Sequence, residues 1–356
     1  DSPSGWQRDT AHRMLVRRGD RSALPPLRTL MRTTHPGLAL ARVHALGVLE
    51  ALDGLTPKII AHALGDAHPG VRRHALRVGE SMIASSSQVA QAALSLISDD
   101  DPHVQLQLAY SLGAWSDPRA GEALGQLALR HHGDRFITAA VLSSCLPAFD
   151  DVISTICKAP PEVARHASLS QLVPVSIATS AEHPTSLRKM IDLIGAPGSD
   201  GTFDNWQLDA FENLLNALSN RGSWIQKLHD KSLAELKPRI KKLENIFEFA
   251  RKIANDSDQP HHRRARVARI LGRGFKKDAR DVETVTALIN PQTPPGDQIQ
   301  LVKSLNRLSD DRIPELLLAN FTSHTPRVRV AVLDTCMSRE PWTKTLLDQL
   351  RKQPAM

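Results

Sequence analysis

The sequence predicts an all-α fold, a right-handed α-solenoid in which pairs of helices stack on one another. Proline recurs at intervals of 33 residues, at Pro36, Pro69 and Pro102, and an apolar residue follows each of them two positions later. Repeats of roughly 30–50 residues built from helix pairs are typical of such solenoids. No segment alternates apolar and polar residues in the way that a half-buried strand would.

The first helix is expected over about residues 6–18, with the apolar side chains of Trp6, Ala11 and Leu15 facing inward. Proline suits the first turn of a helix because its φ is already helical and its missing N–H needs no partner there. Helices are therefore expected to begin at the three repeated prolines, with further helices in the intervals between them. A fourth helical unit is expected to follow the third at about the same interval in the sequence.

The second half of the chain is expected to continue the stack. The Gly-rich run 195–201 is the strongest helix breaker in the sequence, yet an amphipathic helix resumes directly after it at Phe203. We therefore expect a long loop inside a single solenoid that spans residues 1–356, with an internal break near 195–202 as the alternative. A charged helix is expected over about 233–254, and regular units return from Pro260 onwards.

The composition limits the classes of protein that fit. Apolar residues make up 41% of the chain, which is ample for a continuous core, and the net charge of +7 allows an acidic partner without identifying one. No stretch approaches the roughly 20 apolar residues that span a bilayer. Cys145, Cys157 and Cys336 show no metal-ligand spacing and are expected to be small buried residues, although an oxidising compartment leaves a Cys145–Cys157 disulfide open.

An aspartate precedes an arginine by six residues in more than one unit, at Asp66 and Arg72 and again at Asp258 and Arg264. An aspartate in the turn between two helices can accept hydrogen bonds from main-chain N–H groups and from a neighbouring arginine. We expect these four residues to form a structural ladder along the stack and to take no part in catalysis.

Three arginines of the helix predicted from Pro260 recur at spacings of three and four residues, Arg266, Arg269 and Arg273. Residues at these spacings share one side of a helix, where three like charges repel unless a counterion or partner offsets them. Guanidinium groups bind carboxylates in a bidentate manner. The arginines are thus expected to form an exposed stripe that docks an acidic surface, with an ordinary solvated helix face as the alternative.

The pattern Pro-x-Val-Arg-x-x-Ala-Leu at residues 69–76, with an aspartate six residues before the arginine, resembles the HEAT repeat. Several further blocks resemble, in order, the HEAT-like region of PVC-type membrane-bound dehydrogenases, multi-domain proteins with a haem-binding CxxCH motif. The resemblance extends over nearly the whole chain, and the blocks that carry it are Gly5–Ala11, Ala45–Glu50, His68–Leu76, Asp134–Ser144, Trp206–Leu208 and Leu271–Arg273.

The resemblance implies a role for the chain within a larger protein. Such proteins carry a β-propeller resembling sugar dehydrogenases, then HEAT-like repeats, then a cytochrome c, and only the middle part is present here. The chain is therefore expected to be a piece of an oxidoreductase, a non-catalytic scaffold whose partners are the propeller and cytochrome c domains. The resemblance also implies a periplasmic or otherwise extracytoplasmic location.

Two other kinds of protein remain open, a free-standing adaptor and a nucleic-acid-binding HEAT-like protein such as a DNA alkyl-base glycosylase. Glycosylases of this kind use an acidic residue among aromatics in a basic concave surface. Asp204, Trp206 and Asp209 form the one cluster of that type in the sequence. Because Trp206 continues an apolar helix face, we expect it to belong to the core, and we do not expect a nucleic-acid partner.

We assign no catalytic, cofactor-binding or metal-binding residue. The adjacent pairs His131–His132 and His261–His262 point about 100° apart on a helix, so neither pair makes a good metal clamp. His44 and His74 lie on successive inner helices and are interpreted as surface residues. The motifs HExxH, GxSxG, GxGxxG and the P-loop are absent. We expect this chain alone to have no enzymatic activity and no cofactor.

Overall fold

The computed structural model describes residues 2–159, 163–276 and 278–352. Every regular element in these ranges is a helix, and they contain no β-strand. The predicted all-α helical-repeat fold is therefore confirmed. The chain forms two compact units, Asp1–Leu169 and Ser170–Met356. That residues 1–356 form one solenoid stays a prediction; the Gly-rich run 195–201 is a loop inside the second unit.

The first unit consists of two layers of helices. Its helices are α1 (Gly5–Arg18), α2 (Leu24–Leu30), α3 (Ala39–Ala51), α4 (Pro57–Leu64), α5 (Pro69–Val78), α6 (Glu80–Ile83), α7 (Ser87–Leu94), α8 (Pro102–Leu112), α9 (Pro118–Arg130), α10 (Arg135–Ser144) and α11 (Phe149–Lys158). We call α1, α3, α5, α8 and α10 the front layer, in which each helix packs against the next. Behind it, α4 packs on α7 and α9 on α11.

The second unit has the same layered arrangement. Its helices, with α12 at the junction in sequence, are α12 (Val163–Ala178), α13 (Pro184–Ile194), α14 (Asn205–Asn220), α15 (Ile225–Lys231), α16 (Lys237–Lys242), α17 (Glu244–Asn255), α18 (His261–Ala268), α19 (Ala279–Ala287), α20 (Pro295–Leu305), α21 (Ile313–Leu318), α22 (Pro326–Cys336) and α23 (Glu340–Lys352). In one layer α18 packs on α20 and α20 on α22; in the other, α17, α19, α21 and α23 follow one another.

The three repeated prolines stand at equivalent starts. Pro69 and Pro102 are the first residues of α5 and α8, and Pro36 opens a short 3₁₀ turn that leads into α3. The residue before each proline caps the turn. The His35 and His68 imidazoles accept from the main-chain N–H two residues later, as does the carboxylate of Asp101. These caps satisfy N–H groups that the first turn leaves without a partner.

Two of the expected helical features are corrected. The side chain of Trp6 is 70% exposed, and α1 completely buries none of its residues, because this first helix packs on α3 alone. The helix expected over 233–254 is divided into α16 and α17 by a turn at Leu243. Pro238 is the second residue of α16, where its missing N–H costs no hydrogen bond.

In several of the repeat helices, though not in α10, one side chain ties the helix to the segment before it. The residue four positions after the N-cap is an arginine or glutamine whose side chain donates to a main-chain carbonyl 5 to 10 residues earlier. Buried carbonyl groups need such donors because they have lost their contact with water. The residues at this position are Arg42, Arg72, Gln105, Arg264, Gln298 and Arg329.

Two of these arginines also join consecutive repeats of the first unit. The guanidinium of Arg42 donates two hydrogen bonds to the carboxylate of Asp66, at 2.7 and 2.8 Å, and Arg72 pairs in the same way with Asp99, at 2.7 Å for both bonds. We call these two pairs the interlocks. The ladder of aspartate–arginine pairs therefore links one repeat to the next. Arg72 also contacts Asp66 of its own repeat, where the guanidinium donates to the main-chain carbonyl of Asp66.

The interlocks are largely buried, since the side chains of Arg42 and Asp66 are 1% and 8% exposed. Burial alone raises the pKa of Asp66, but hydrogen bonds from Arg42 and from the His68 N–H outweigh it and hold the pKa below its ordinary value. The pair expected at Asp258 and Arg264 does not form. Asp258 is exposed, and Arg264 donates to the carbonyl of Ala254 instead.

We predict that Asp66→Ala lowers the free energy of unfolding by about 3 kcal/mol, because it leaves the buried guanidinium of Arg42 without its counterion. Asp101→Ala is the matched control, since Asp101 caps a helix start but accepts from no arginine in the described part of the chain. That loss should be about 1 kcal/mol. Urea unfolding measures both values, and equal losses would show that the interlock adds nothing beyond capping.

Candidate functional site

The outer surface of the front layer is the most distinctive surface of the first unit. We define the front face as the partly or fully exposed side chains that α1, α3, α5 and α8 direct away from the second layer. Its members are Trp6, Asp9, His12, Arg13, Val43, His44, Arg73, His74, Arg77, His103, Leu106, Gln107 and Tyr110. It combines imidazole, guanidinium, aromatic and aliphatic groups, with few carboxylates among them.

Three histidines meet at the centre of this face. The ring of His12 lies edge-on to the ring of His44, with the centroids 5.5 Å apart and the two Nδ1 atoms 3.4 Å apart. Gly47 permits this approach: a Cβ there would lie 2.7 Å from Cε1 of His12 and 3.5 Å from Nε2 of His74. A residue with a Cβ at this position would push the His12 ring away from α3.

Burial favours the neutral form of two of these histidines, His44 and His74. It lowers the pKa of His74 to about 4, an effect to which the charge of Arg77 adds. Burial also lowers the pKa of His44, as does the neighbouring His12. These two imidazoles therefore offer neutral donors and acceptors beside the guanidinium groups of the front face.

Two hollows flank His74. The larger, of about 590 Å³, lies between α1, α3 and α5 and has Trp6 and Val43 in its wall. The smaller, of about 370 Å³, lies between α5 and α8 and is lined in part by Leu106 and Tyr110. Both are open and partly apolar, and they lie beside each other across a single helix.

Arginines give this surface its charge. Arg13 and Arg73 are exposed and form no ion pair within the described ranges, whereas Arg77 pairs with Glu50 at 2.9 Å. Asp9 is the remaining acid on this surface, and its carboxylate lies 3.8 Å from Nε2 of His44. The two unpaired guanidinium groups are therefore available to an acidic ligand.

We did not expect the front face from the sequence, although the sequence contains a signal for it. Histidine recurs at positions 12, 44, 74 and 103, close to the period of the prolines. Residues that recur at the period of a solenoid occupy equivalent positions in successive repeats. His44 and His74 are indeed surface residues, as interpreted, but they also belong to one cluster.

The arginines expected to form an exposed stripe are paired within the second unit, and this expectation is corrected. Arg266 and Arg269 both donate to the carboxylate of Asp209 on α14, at 3.1 and 3.2 Å, and Arg269 also contacts Glu212 at 3.0 Å. Burial raises the pKa of Glu212, an effect that the charge of Arg269 opposes. Here α14 supplies the acids that the arginines of α18 require.

Arg273 lies outside the helix on which it was placed. The helix α18 ends at Ala268, and Gly272 with φ +75° turns the chain in a way that residues with a Cβ rarely adopt. Arg273 is consequently 9% exposed and donates to Asn216 Oδ1 and Ser219 Oγ, at 2.9 and 3.0 Å. Burial lowers its pKa to about 10, with a further contribution from Arg307.

The cluster considered for a glycosylase does not have a free catalytic acid. The carboxylate of Asp209 accepts hydrogen bonds from two arginines, Arg266 and Arg269. Asp204 precedes α14 as its N-cap, and its main-chain N–H donates to the side chain of Gln207. Trp206 is half-buried. This arrangement orders the start of α14 and its contact with α18.

The structure also describes the residues that could form a metal site, the cysteines and the apolar helices. Among residues 2–159, 163–276 and 278–352, no group of three or more His, Cys, Asp and Glu side chains could hold a metal ion. Cys145 and Cys336 are buried free thiols, and burial raises the pKa of each to about 11. Within the same ranges no single helix is long and apolar enough to span a membrane, although the bent pair 135–144 and 146–158 passes by length and composition.

Comparison with protein-family models agrees with the repeat architecture. A family model described as HEAT repeats matches residues 56–144. Similar solved structures include the karyopherin Kap121p bound to the extreme C-terminus of the protein phosphatase Cdc14p, with 14% identity, 94% of this chain and 44% of that chain covered, and a TM-score of 0.46. This chain spans less than half the length of that karyopherin.

Two further solved structures have the same sequence identity to this chain. A mutant of Kap121p has 14% identity and a TM-score of 0.48, over 94% of this chain and 43% of the other. An engineered protein has 14% identity and a TM-score of 0.33, over 94% of both chains. No curated protein matches the sequence. The resemblance to PVC-type dehydrogenases is thus left without a test.

We predict that the His74→Gln variant loses less stability than the wild-type chain when the pH is lowered. With a folded-state pKa of about 4 and an ordinary value of 6.5, the folded chain binds fewer protons than the unfolded chain between these values. Stability therefore falls as the pH drops through this window, and it should fall less in the variant. Thermal unfolding at pH 7.5 and pH 5 measures the difference; an NMR titration midpoint of His74 near 6.5 would contradict it.

Proposed function

We propose that this chain is a helical-repeat interaction module, a non-catalytic scaffold that binds protein partners. The observation that carries the proposal is the front face, where partly apolar hollows and unpaired guanidinium groups lie side by side on stacked helices. Surfaces that bind other proteins typically combine aromatic residues and arginine in this way. The HEAT-repeat match over residues 56–144 covers α4 to α10 and is consistent with such a role.

The more specific form of the proposal places the module in a larger oxidoreductase. There it holds a β-propeller dehydrogenase domain and a cytochrome c domain at a fixed separation, in an extracytoplasmic compartment. Support comes from the ordered sequence blocks that resemble PVC-type proteins, from Gly5–Ala11 to Leu271–Arg273. The interlocks support it as well, because a spacer must resist bending and two buried bidentate ion pairs fix neighbouring repeats.

The nucleic-acid-binding alternative has less support. A glycosylase needs a free carboxylate close to the base it excises, and Asp209 is committed to Arg266 and Arg269. Non-specific nucleic-acid binding depends on many phosphate contacts from unpaired cations. Arg266 and Arg269 do not provide such cations, because both are paired with the carboxylate of Asp209 on α14.

The proposal predicts the content of the complete gene and the binding of its products. A propeller is expected to precede this region and a CxxCH domain to follow it. The chain mixed with these domains should bind at least one of them, with a dissociation constant of about 1–100 µM that isothermal titration calorimetry measures at low salt.

Two outcomes would reject different parts of the proposal. A gene that encodes neither domain would exclude the oxidoreductase parent and leave the interaction module intact. Absence of binding to every domain encoded with the chain, at low salt, would reject the interaction module. A circular dichroism spectrum with strong helical signal must accompany this result, so that unfolding does not account for it.

A further inference from the structure

We propose that the front face binds an extended acidic segment of a partner protein, laid across α1, α3, α5 and α8. This inference rests on the proposed interaction module and deepens it, because it names the surface and the chemistry of the partner. It commits to one kind of ligand, an acidic and partly apolar polypeptide that crosses the helices of the front layer.

Charge is the first argument. Arg13 and Arg73 are exposed without a carboxylate partner in the described ranges, and each lies in the wall of a different hollow. The ion pair of Arg77 with Glu50 is itself half exposed, so its guanidinium can exchange partners at little cost. Since burial keeps His44 and His74 neutral, the charges that the partner meets are those of the arginines.

Spacing is the second argument. Packed helices lie about 8–10 Å apart, so the gaps between neighbouring helices of the front layer recur at this distance. A polyproline II chain rises about 3.1 Å per residue with three residues per turn, and every third side chain therefore recurs at about 9 Å on one side. Such a chain can place successive apolar side chains in the two hollows that flank His74 and direct carboxylates at Arg13 and Arg73.

The composition of the face favours a polypeptide over a nucleic acid. Val43 and Leu106 line the hollows, and their apolar atoms are suited to aliphatic side chains. Phosphate backbones require many unpaired cations in a row, because counterion release supplies most of the affinity. The face has two such arginines and retains the carboxylate of Asp9, and Glu50 beside it occupies Arg77.

A designed peptide tests the proposal directly. The probe is a fluorescein-labelled twelve-residue peptide of four Glu-Pro-Leu repeats, which favours the polyproline II conformation. We expect fluorescence anisotropy to show saturable binding at about 10–100 µM in low salt. Peptides of four Lys-Pro-Leu and four Glu-Pro-Ser repeats separate the two arguments, and each should bind at least about tenfold more weakly.

Matched variants locate the binding surface. Arg13→Glu together with Arg73→Glu should weaken binding of the acidic probe by about tenfold or more. Lys58→Glu together with Arg32→Glu makes the same change of charge at exposed positions on α4 and after α2, outside the front face, and should alter affinity by less than about twofold. Equal helical circular dichroism of all variants shows that the reversals leave the fold intact.

Three outcomes would overturn the proposal: no saturable binding of the acidic probe, equal weakening by both pairs of substitutions, or displacement of the probe by duplex DNA at equal charge. These outcomes differ from a failure of the proposed function. If domains encoded with the chain still bind while the probe does not, the module remains and its binding surface lies elsewhere. If the probe binds and no domain does, the front face accepts acidic segments from another source.

Discussion

In several repeat helices a side chain four residues after the N-cap binds the helix to the segment before it, and the stacking of these repeats depends on this bond. The turn between two helices buries main-chain carbonyls that have no helical partner, and Arg42, Arg72 and Gln105 supply donors to them. Two of these three side chains also reach the next repeat. Arg42 and Arg72 donate to Asp66 and Asp99, whereas Gln105 has no aspartate acceptor of this kind among the described residues.

The front face follows from this arrangement. Once the turns are fixed, the helices of the front layer lie side by side, and residues at the repeat period become neighbours although about 30 positions separate them in sequence. Gly47 then allows the rings of His12 and His74 to settle on α3. The same constraint that stabilises the unit thus creates its hollows, because their walls belong to neighbouring helices and no single helix could form them.

Much of the fold could be predicted from the sequence, since Pro36, Pro69 and Pro102 are local signals and mark equivalent starts. The ladder was recognised at Asp66 and Arg72, but a spacing of six residues does not reveal that Arg72 reaches Asp99 in the next repeat. Arg273 was misplaced because a single glycine, Gly272, redirects the chain. The candidate site was missed, since the contact between His12 and His44 exists only after folding.

The glutamine at position 105 has a mechanical consequence. Up to α8, a buried bidentate ion pair links each front helix of this kind to the turn of the next repeat. Between α8 and α10 the described residues contain no equivalent pair, and these two helices meet through close contacts such as Gly113 against Ser144. Under a load along the first unit, the segment from α3 to α8 would act as a stiff lever that carries the smaller hollow and the α3 and α5 wall of the larger one, with compliance concentrated between α8 and α10.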